Sequence, residues 1–339
     1  MTFDNVEWIF FDVGSTLISE EKPFLHRLHE IAEAVNEPFE TIQDKVLALY
    51  KEKKKGERLL IQEIGMDKPR WRSEDEELFP FAYTCLERLH GKYKIGVIAN
   101  QSPGTAARLE KHGILKFIDL VIASAEEGVE KPDRKIFEIA LSRANCKPEN
   151  AVMIGDRVDN DIVPAKKMGM KTIRVKQGMW KYWEVMGEEE QADIEVENLS
   201  EAVALLEGSY ETNPVPAGKY QDVIGKIVKG KIDRPKGSYH PRHPKLYYPV
   251  NYGYVEGVIG GDGAEQDIYL LGEDKTVDEY IGKVIAVYHR YDDNETKWIV
   301  VPCDESGNVR SDVKVPNRDE IYAQIAFQEQ FFCGVLLGI

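Results

Sequence analysis

Four short segments of the first half of the chain carry side chains suited to phosphoryl chemistry. In "WIFFDVGSTLIS" an apolar run delivers one carboxylate, Asp12, to a turn of small residues that includes Gly14 and Thr16. "GVIANQSPG" places Asn100 and Gln101 at the end of a second apolar run, and "VEKPDRK" offers Lys131 just ahead of an expected helix with Pro132 as its first residue. "IGDRVDNDI" gathers Asp156, Asp159 and Asp161 in one loop. A lysine and several carboxylates at one sheet edge are what Mg2+-assisted phosphoryl transfer requires. The cation offsets the charge of phosphate and carboxylates, and the ammonium holds the remaining oxygens. On its own, Asp12 reads equally as a metal ligand, a nucleophile or a helix cap.

The second half separates its charges into blocks. Lys226, Lys229, Lys231, Arg234, Lys236, Arg242 and Lys245 stand against a single acid, Asp233. Asp262, Glu265, Asp267, Asp292, Asp293 and Glu295 follow, with Lys297 beside them. Folded together, such blocks would form a cage for hard cations faced by a basic wall for phosphate oxygens. The plainer reading is a surface of mixed solvated charges.

The elements that must position these residues differ between the halves. Over residues 1–207, "WIFFD", "YKIGVIAN", "DLVIAS", "NAVMIGD" and "MKTIRV" are short apolar runs, the mark of strands buried on both faces. Helical patterns such as "GTAARLEKHG" and "DRKIFEIALSRANC" lie between them, so the alternation predicts a parallel sheet with helices on both faces. Residues 19 to about 77 break the rhythm with charged helical periodicity and no convincing strand. They read as a helical cap inserted after the first strand. "EGSYETNPVPAGKYQ" has the composition of a linker, placed at 208–221. From 222 to 339, β-branched and aromatic runs broken by Gly and Asp turns predict a small β-barrel, closed by a helix in "RDEIYAQIAFQEQFF". The apolar tail "FFCGVLLGI" is expected to bury in the barrel or to form a subunit contact.

A net charge of −15 disfavours a nucleic-acid partner. No apolar run approaches the roughly 20 residues that cross a bilayer, so no membrane partner is expected. Four scattered cysteines without metal spacing, and an acidic start that leads straight into a strand, point to a reduced, cytoplasmic protein.

Residues 1–207 resemble the haloacid-dehalogenase superfamily with a helical cap. "DVGST" by itself could also be the phosphate loop of an actin-like ATPase; Lys131 and the Asp156–Asp161 loop turn the balance. The resemblance implies a Rossmann-like α/β core in which Asp12 is phosphorylated as nucleophile. It further implies that Thr16 and Asn100 hold phosphate and that Lys131 holds charge. Asp12, the Gly14 carbonyl, Asp156 and Asp161 would hold Mg2+. Two positions depart from the family pattern: Gly14 stands where its phosphatases carry the acid that protonates the leaving group, and Ala99 replaces a small hydroxyl residue. Loss of that acid is worth about 10²–10⁴-fold on a poor leaving group.

Residues from 223 to about 333 resemble soluble family I inorganic pyrophosphatases, small OB-like barrels that use several Mg2+ ions. "YPVNYGY" puts Tyr248 and Tyr252 at the implied site, "DGAEQD" makes Asp262 and Asp267 metal ligands, and "DDNETK" adds Asp292 and the phosphate-binding Lys297. Arg234 matches a phosphate-binding arginine, and Lys219 or Lys231 could serve for an early lysine. Asp267 would act in catalysis. Ala264 replaces the acid that helps to activate water, and Phe332 and Cys333 replace a phosphate-holding Tyr-Lys pair. The leading expectation is a Mg2+-dependent phosphohydrolase acting on inorganic pyrophosphate, with an aspartyl-phosphate phosphatase in the first domain. The alternative is a small-molecule phosphatase whose second domain is a degenerate phosphate-binding or homo-oligomerising module.

Overall fold

The apolar run Trp8–Phe11 forms β1, with Ile9, Phe10 and Phe11 excluded from solvent. The structure, a computed structural model, describes residues 3, 5–209, 214, 215, 218, 220–293 and 295–338. The chain divides into two units, 1–202 and 203–339. Half of the expected linker at 208–221 lies outside the described residues, Lys219 included.

In the first unit, β1 is followed by β2 (Ile18–Ser19), α1 (Glu21–Val35), α2 (Phe39–Lys51), α3 (Gly56–Ile64) and β3 (Glu77–Leu78). Then come α4 (Ala82–Leu89), β4 (Lys94–Ala99), α5 (Thr105–Lys111), β5 (Leu120–Ala123), α6 (Ser124–Glu127) and α7 (Arg134–Ala144). β6 (Ala151–Gly155), α8 (Val163–Met168), β7 (Lys171–Val175), β8 (Ile194–Val196) and α9 (Leu199–Glu207) complete the series, α9 running across the boundary between units. Parallel pairing gives the order β5-β4-β1-β6-β7-β8. The chain leaves β1 to opposite sides, so its carboxyl end opens on the crevice where ligands bind in sheets of this kind. Asp12, Asn100 and Asp156 are each the residue just past the end of β1, β4 and β6.

The expected cap is present as α1–α3. Phe24, Leu28, Ile31 and Ala32 on α1 recur at helical spacing and pack with Ile42, Val46 and Tyr50 of α2, Ile61 of α3 and Trp183. The insertion is not wholly helical, however. β2 and β3 pair antiparallel at its two ends, Ile18 with Leu78 and Ser19 with Glu77. Two residues are too few to show the alternation that marks a strand in sequence. The expected helix start at Pro132 also moves. α7 begins at Arg134, capped by Asp133, whose side chain accepts from the Lys135 N–H at 2.9 Å. A side chain that can accept from a free helical N–H outranks a proline at the first position.

In the second unit β9 (Ile227–Arg234), β10 (Asn251–Ile259), β11 (Glu265–Leu270), β13 (Thr296–Pro302) and β12 (Glu279–Arg290) close on one another through the β12–β13 pairing. Burial alternates along β9, as expected of a strand with one face to the core. Val228, Ile232, Val255, Ile268, Val284, Val287 and Val300 fill the interior. α10 (Arg318–Glu329) starts at a capping box of Asn317 and Glu320. The apolar tail forms β14 (Gly334–Leu337) on Val287–Arg290 of β12, with Leu336 fully buried. A small closed barrel with a C-terminal helix is thus present; its sheet alone does not identify it with pyrophosphatases or OB folds.

Candidate active site

The first constellation converges. Lys131 Nζ donates to Asp12 Oδ1 at 2.7 Å and to Asp161 Oδ1 at 2.6 Å, and all three side chains are buried. Ligand oxygens of Asp12, Asp156 and Asp161 lie within 4.8 Å of one another, the one such group among the described residues. The Thr16 hydroxyl donates to Asp156 Oδ1 at 3.2 Å. Asn100 does not simply project into the site: its Oδ1 accepts from the Lys131 N–H at 2.7 Å, and its Nδ2 donates to the Lys131 carbonyl at 2.8 Å. This reciprocal pair fixes the backbone from which the lysine reaches the carboxylates. Asp161 sits in a π-helical turn, Val158–Ile162, and its Oδ2 accepts from the Arg157 N–H at 3.0 Å. The turn passes so close to β6 that a Cβ at Gly155 would overlap the Asp161 carboxylate. Asp159 instead pairs with Arg157 beside it and is not one of the three.

Three buried carboxylates face one ammonium, and the ionisation preferences reflect that imbalance. Burial, then the charges of Asp12 and Asp161, pushes Asp156 well above the ordinary carboxylate range. Burial raises Asp161 to about 6, with Asp12 adding to the rise and Lys131 opposing it. Burial disfavours the charged Lys131, yet Asp12 and Asp161 outweigh it and hold the ammonium above its usual value. The buried Oδ2 of Asp156 has no hydrogen-bond partner. An unpartnered buried carboxylate oxygen beside two further carboxylates is a donor set for a hard divalent cation, so the residues present fit Mg2+.

The structure adds residues that no spacing in the sequence marks. Glu20, the residue between β2 and α1, places its carboxyl against Gly14. A Cβ on Gly14 would lie 2.8 Å from Glu20 Oε1 and 2.9 Å from Oε2. Ser15 Oγ donates to Glu20 Oε2 at 3.3 Å, and Arg108 pairs with Oε1 at 3.7 Å. Arg108 also donates through Nε to Glu76 Oε2 at 2.8 Å, so one core arginine meets both ends of the cap insertion. Burial foremost, with the charges of Asp12 and Glu76, pushes the Glu20 carboxyl up to about 7 against the pull of Arg108. Gln177 Nε2 donates to the Thr16 carbonyl at 3.3 Å and helps to hold the turn after Asp12. On the cap, His26 pairs with Asp75 and His29 stacks on Phe39, as surface residues rather than a metal pair.

The second constellation converges only in part. Lys297 Nζ donates to Asp267 Oδ2 at 2.5 Å and to the Tyr252 hydroxyl at 3.1 Å, and it also bonds Glu295. Arg234 lies 5.4 Å from the Tyr252 ring, and Tyr248 and Tyr252 are 5.5 Å apart. Among the described residues, Asp262, Asp267 and Asp292 do not gather at metal-ligand spacing. Asp262 Oδ1 accepts from the Ala264 N–H at 3.0 Å within its own turn, and Asp292 Oδ2 accepts from the Cys333 N–H at 2.8 Å. The acid that joins Asp267 is Glu295, and Lys297 together with Arg290, which donates to Glu295 at 2.8 Å, already offsets both. Arg290 is bound by Glu329 through Nε at 2.8 Å and lies 3.5 Å from the centre of the Phe332 ring. The basic block is largely a surface of separate pairs, Lys229 with Glu305, Lys231 with Glu256 and Lys236 with Asp274. His240 accepts from the N–H groups of Arg242 and His243, a turn rather than a phosphate site.

A family model described as haloacid dehalogenase-like hydrolase matches residues 6–169. The chain is 32% identical over 231 residues to the glyceraldehyde 3-phosphate phosphatase of Pyrococcus furiosus, covering 60% of this chain and 93% of that protein. It is 40% identical over 99 residues to the protein of the same name from Methanocaldococcus jannaschii, covering 29% and 42%. The ribulose-1,5-bisphosphate 5-phosphatase of Halopiger xanaduensis is 34% identical over 102 residues, covering 30% and 43%. The chain spans between 42% and 53% of the length of the first three glyceraldehyde 3-phosphate phosphatases it matches. Neither these relatives nor the second constellation supports pyrophosphate hydrolysis.

Proposed function

The chain belongs to the haloacid dehalogenase-like hydrolases, and from that premise we propose that it is a Mg2+-dependent phosphatase of small phosphate monoesters. The observation that carries this reading is Lys131 held between Asp12 and Asp161 with Asp156 alongside. Asp12, Asp156 and Asp161, with the Gly14 carbonyl, would hold Mg2+, which when bound neutralises charge on the phosphoryl group. Asp12 attacks phosphorus, the bond to the leaving oxygen breaks, and an aspartyl-phosphate forms. Lys131, positioned through Asn100, neutralises the attacking carboxylate and the transferred group, and Thr16 donates to a phosphoryl oxygen. Water then cleaves the acyl phosphate and restores Asp12. Relatives named for glyceraldehyde 3-phosphate and ribulose bisphosphate support short phosphorylated sugars as the first substrates to test.

The barrel is the degenerate module of the alternative reading, a phosphate-binding or self-associating domain. The Ala264 side chain offers no ligand, Lys297 and Arg290 between them already neutralise Asp267 and Glu295, and Phe332 stacks on Arg290. The test is phosphate release with Mg2+ from glyceraldehyde 3-phosphate, ribulose 1,5-bisphosphate, 4-nitrophenyl phosphate and pyrophosphate by wild type, Asp12→Asn and Asp267→Asn. Monoester turnover should vanish in Asp12→Asn and persist in Asp267→Asn. Turnover that survives Asp12→Asn overturns the proposal, and pyrophosphate turnover lost only in Asp267→Asn overturns the degenerate-barrel reading.

A further inference from the structure

Residue 14 is a glycine where a phosphatase of this design needs an acid on the leaving group, yet the space beside it is not empty. The carboxyl of Glu20 fills it, with Oε1, Cδ and Oε2 at 2.8, 2.9 and 2.9 Å from the position a Cβ on Gly14 would take. A side chain at 14 and the Glu20 carboxyl therefore exclude one another. Ser15 and Arg108 hold Glu20 in this place from two sides. We infer that Glu20 is the catalytic acid–base group of this phosphatase, reaching back from the cap hinge into the volume that Gly14 leaves open.

The step balances. As Asp12 Oδ bonds to phosphorus, the phosphorus–oxygen bond to the leaving group breaks with its electron pair on the departing oxygen. That oxygen takes the Glu20 proton, leaving a carboxylate. In the second half, water bonds to phosphorus while Glu20 accepts its proton. The bond from phosphorus to Asp12 breaks with its pair on Asp12, and phosphate departs. Glu20 ends protonated, as it began.

The placement also gives Glu20 a second property. It lies at the junction of β2 and α1, the first chain crossing between core and cap, and Glu76 precedes β3 at the second. Arg108 bonds Glu76 and pairs with Glu20. Movement of the cap would carry the acid with it, so proton donation is tied to the cap position that this arginine fixes.

The inference rests on the phosphatase reading above, and leaving-group dependence separates the two. Wild type, Glu20→Gln and the double variant Gly14→Asp/Glu20→Ala would be assayed with Mg2+ on glycerol 3-phosphate, whose alkoxide leaves poorly, and on 4-nitrophenyl phosphate, whose phenolate needs no proton. Glu20→Gln should lose about 10²–10⁴-fold in kcat on glycerol 3-phosphate and less than about tenfold on 4-nitrophenyl phosphate. The double variant, with an acid returned to residue 14 and the obstruction removed, should recover most of the loss. Equal losses on both substrates, or none on either, would overturn the role of Glu20 while leaving the phosphatase reading intact. Wild type that turns over neither substrate would overturn the phosphatase reading itself. Circular dichroism and melting of each variant distinguish a folding defect, which would lower both substrates together.

Discussion

Replacing Asp156 with asparagine should make the metal-free protein more stable while abolishing its response to Mg2+. The Asp156 oxygens lie within 4.8 Å of those of Asp12 and Asp161. At an effective dielectric of about 20, each like-charge contact at that separation costs about 3 kcal/mol. Lys131 cancels roughly one of the two contacts, so about 2–3 kcal/mol of repulsion remains to be relieved. An amide keeps the Oδ1 that accepts from Thr16 and puts N–H donors where the buried Oδ2 has no partner. For a unit of this size, about 2 kcal/mol raises Tm by about 4–8 °C. The pH dependence has a definite sign. Folding raises the proton affinity of Asp156 and Asp161, so the folded state binds more protons than the unfolded one once pH exceeds about 4. Wild-type stability in EDTA should therefore fall as pH rises through about 6, the pKa of Asp161, and the advantage of Asp156→Asn should be larger at pH 7.5 than at pH 5. The assay is calorimetric melting in EDTA and in Mg2+ at both pH values, followed on the transition that Mg2+ moves in wild type. A variant less stable than wild type in EDTA at pH 7.5, or one that keeps the full Mg2+ shift, would refute this reasoning.

Two further outcomes follow from the same site and a third from the barrel. Mg2+ affinity, measured by titration calorimetry, should weaken as pH falls through about 6, because the Asp161 ligand must lose its proton to bind; an affinity flat between pH 5 and 8 would contradict this. Lys131→Met should destabilise the metal-free protein by about 3–5 kcal/mol in urea unfolding, since it strands buried Asp12 and Asp161 together, and Mg2+ should recover part of the loss. Arg290→Met should cost the barrel about 3–5 kcal/mol by leaving buried Glu329 without its cation, held only by the Tyr269 hydroxyl, and Arg290→Met with Glu329→Leu should recover much of it. A double variant no more stable than the single one would refute the pairing.

The parallel strands were legible because they are buried on both faces, so "WIFFD", "VIAN" and "VMIGD" read as unbroken apolar runs that end at their polar residue. The first site was legible for the same reason: Asp12, Asn100 and Asp156 each follow a strand, and Lys131 precedes a helix. Glu20 was not legible. Nothing in its spacing from Asp12 says that its carboxyl folds back on Gly14; that contact depends on where a two-residue strand hands the chain to α1. In the second domain, Tyr248, Tyr252, Asp267, Arg234 and Lys297 lie near one another, and the acid that shares Lys297 with Asp267 is Glu295, whereas Asp292, expected as a metal ligand, accepts from the Cys333 N–H. Adjacent acids in a turn cannot be told apart by sequence, since the direction of each side chain is set by the backbone after β12 and by the Cys333 N–H that Asp292 caps.

The central claim is that Asp12 carries the phosphoryl group. Rapid acid quench of wild type turning over 4-nitrophenyl phosphate with Mg2+, followed by peptide mass spectrometry, tests it most directly. One phosphoryl group on the peptide containing Asp12, absent from Asp12→Asn, is the expected result. Steady turnover with no phosphate on that peptide at any quench time, or label that persists in Asp12→Asn, would contradict it.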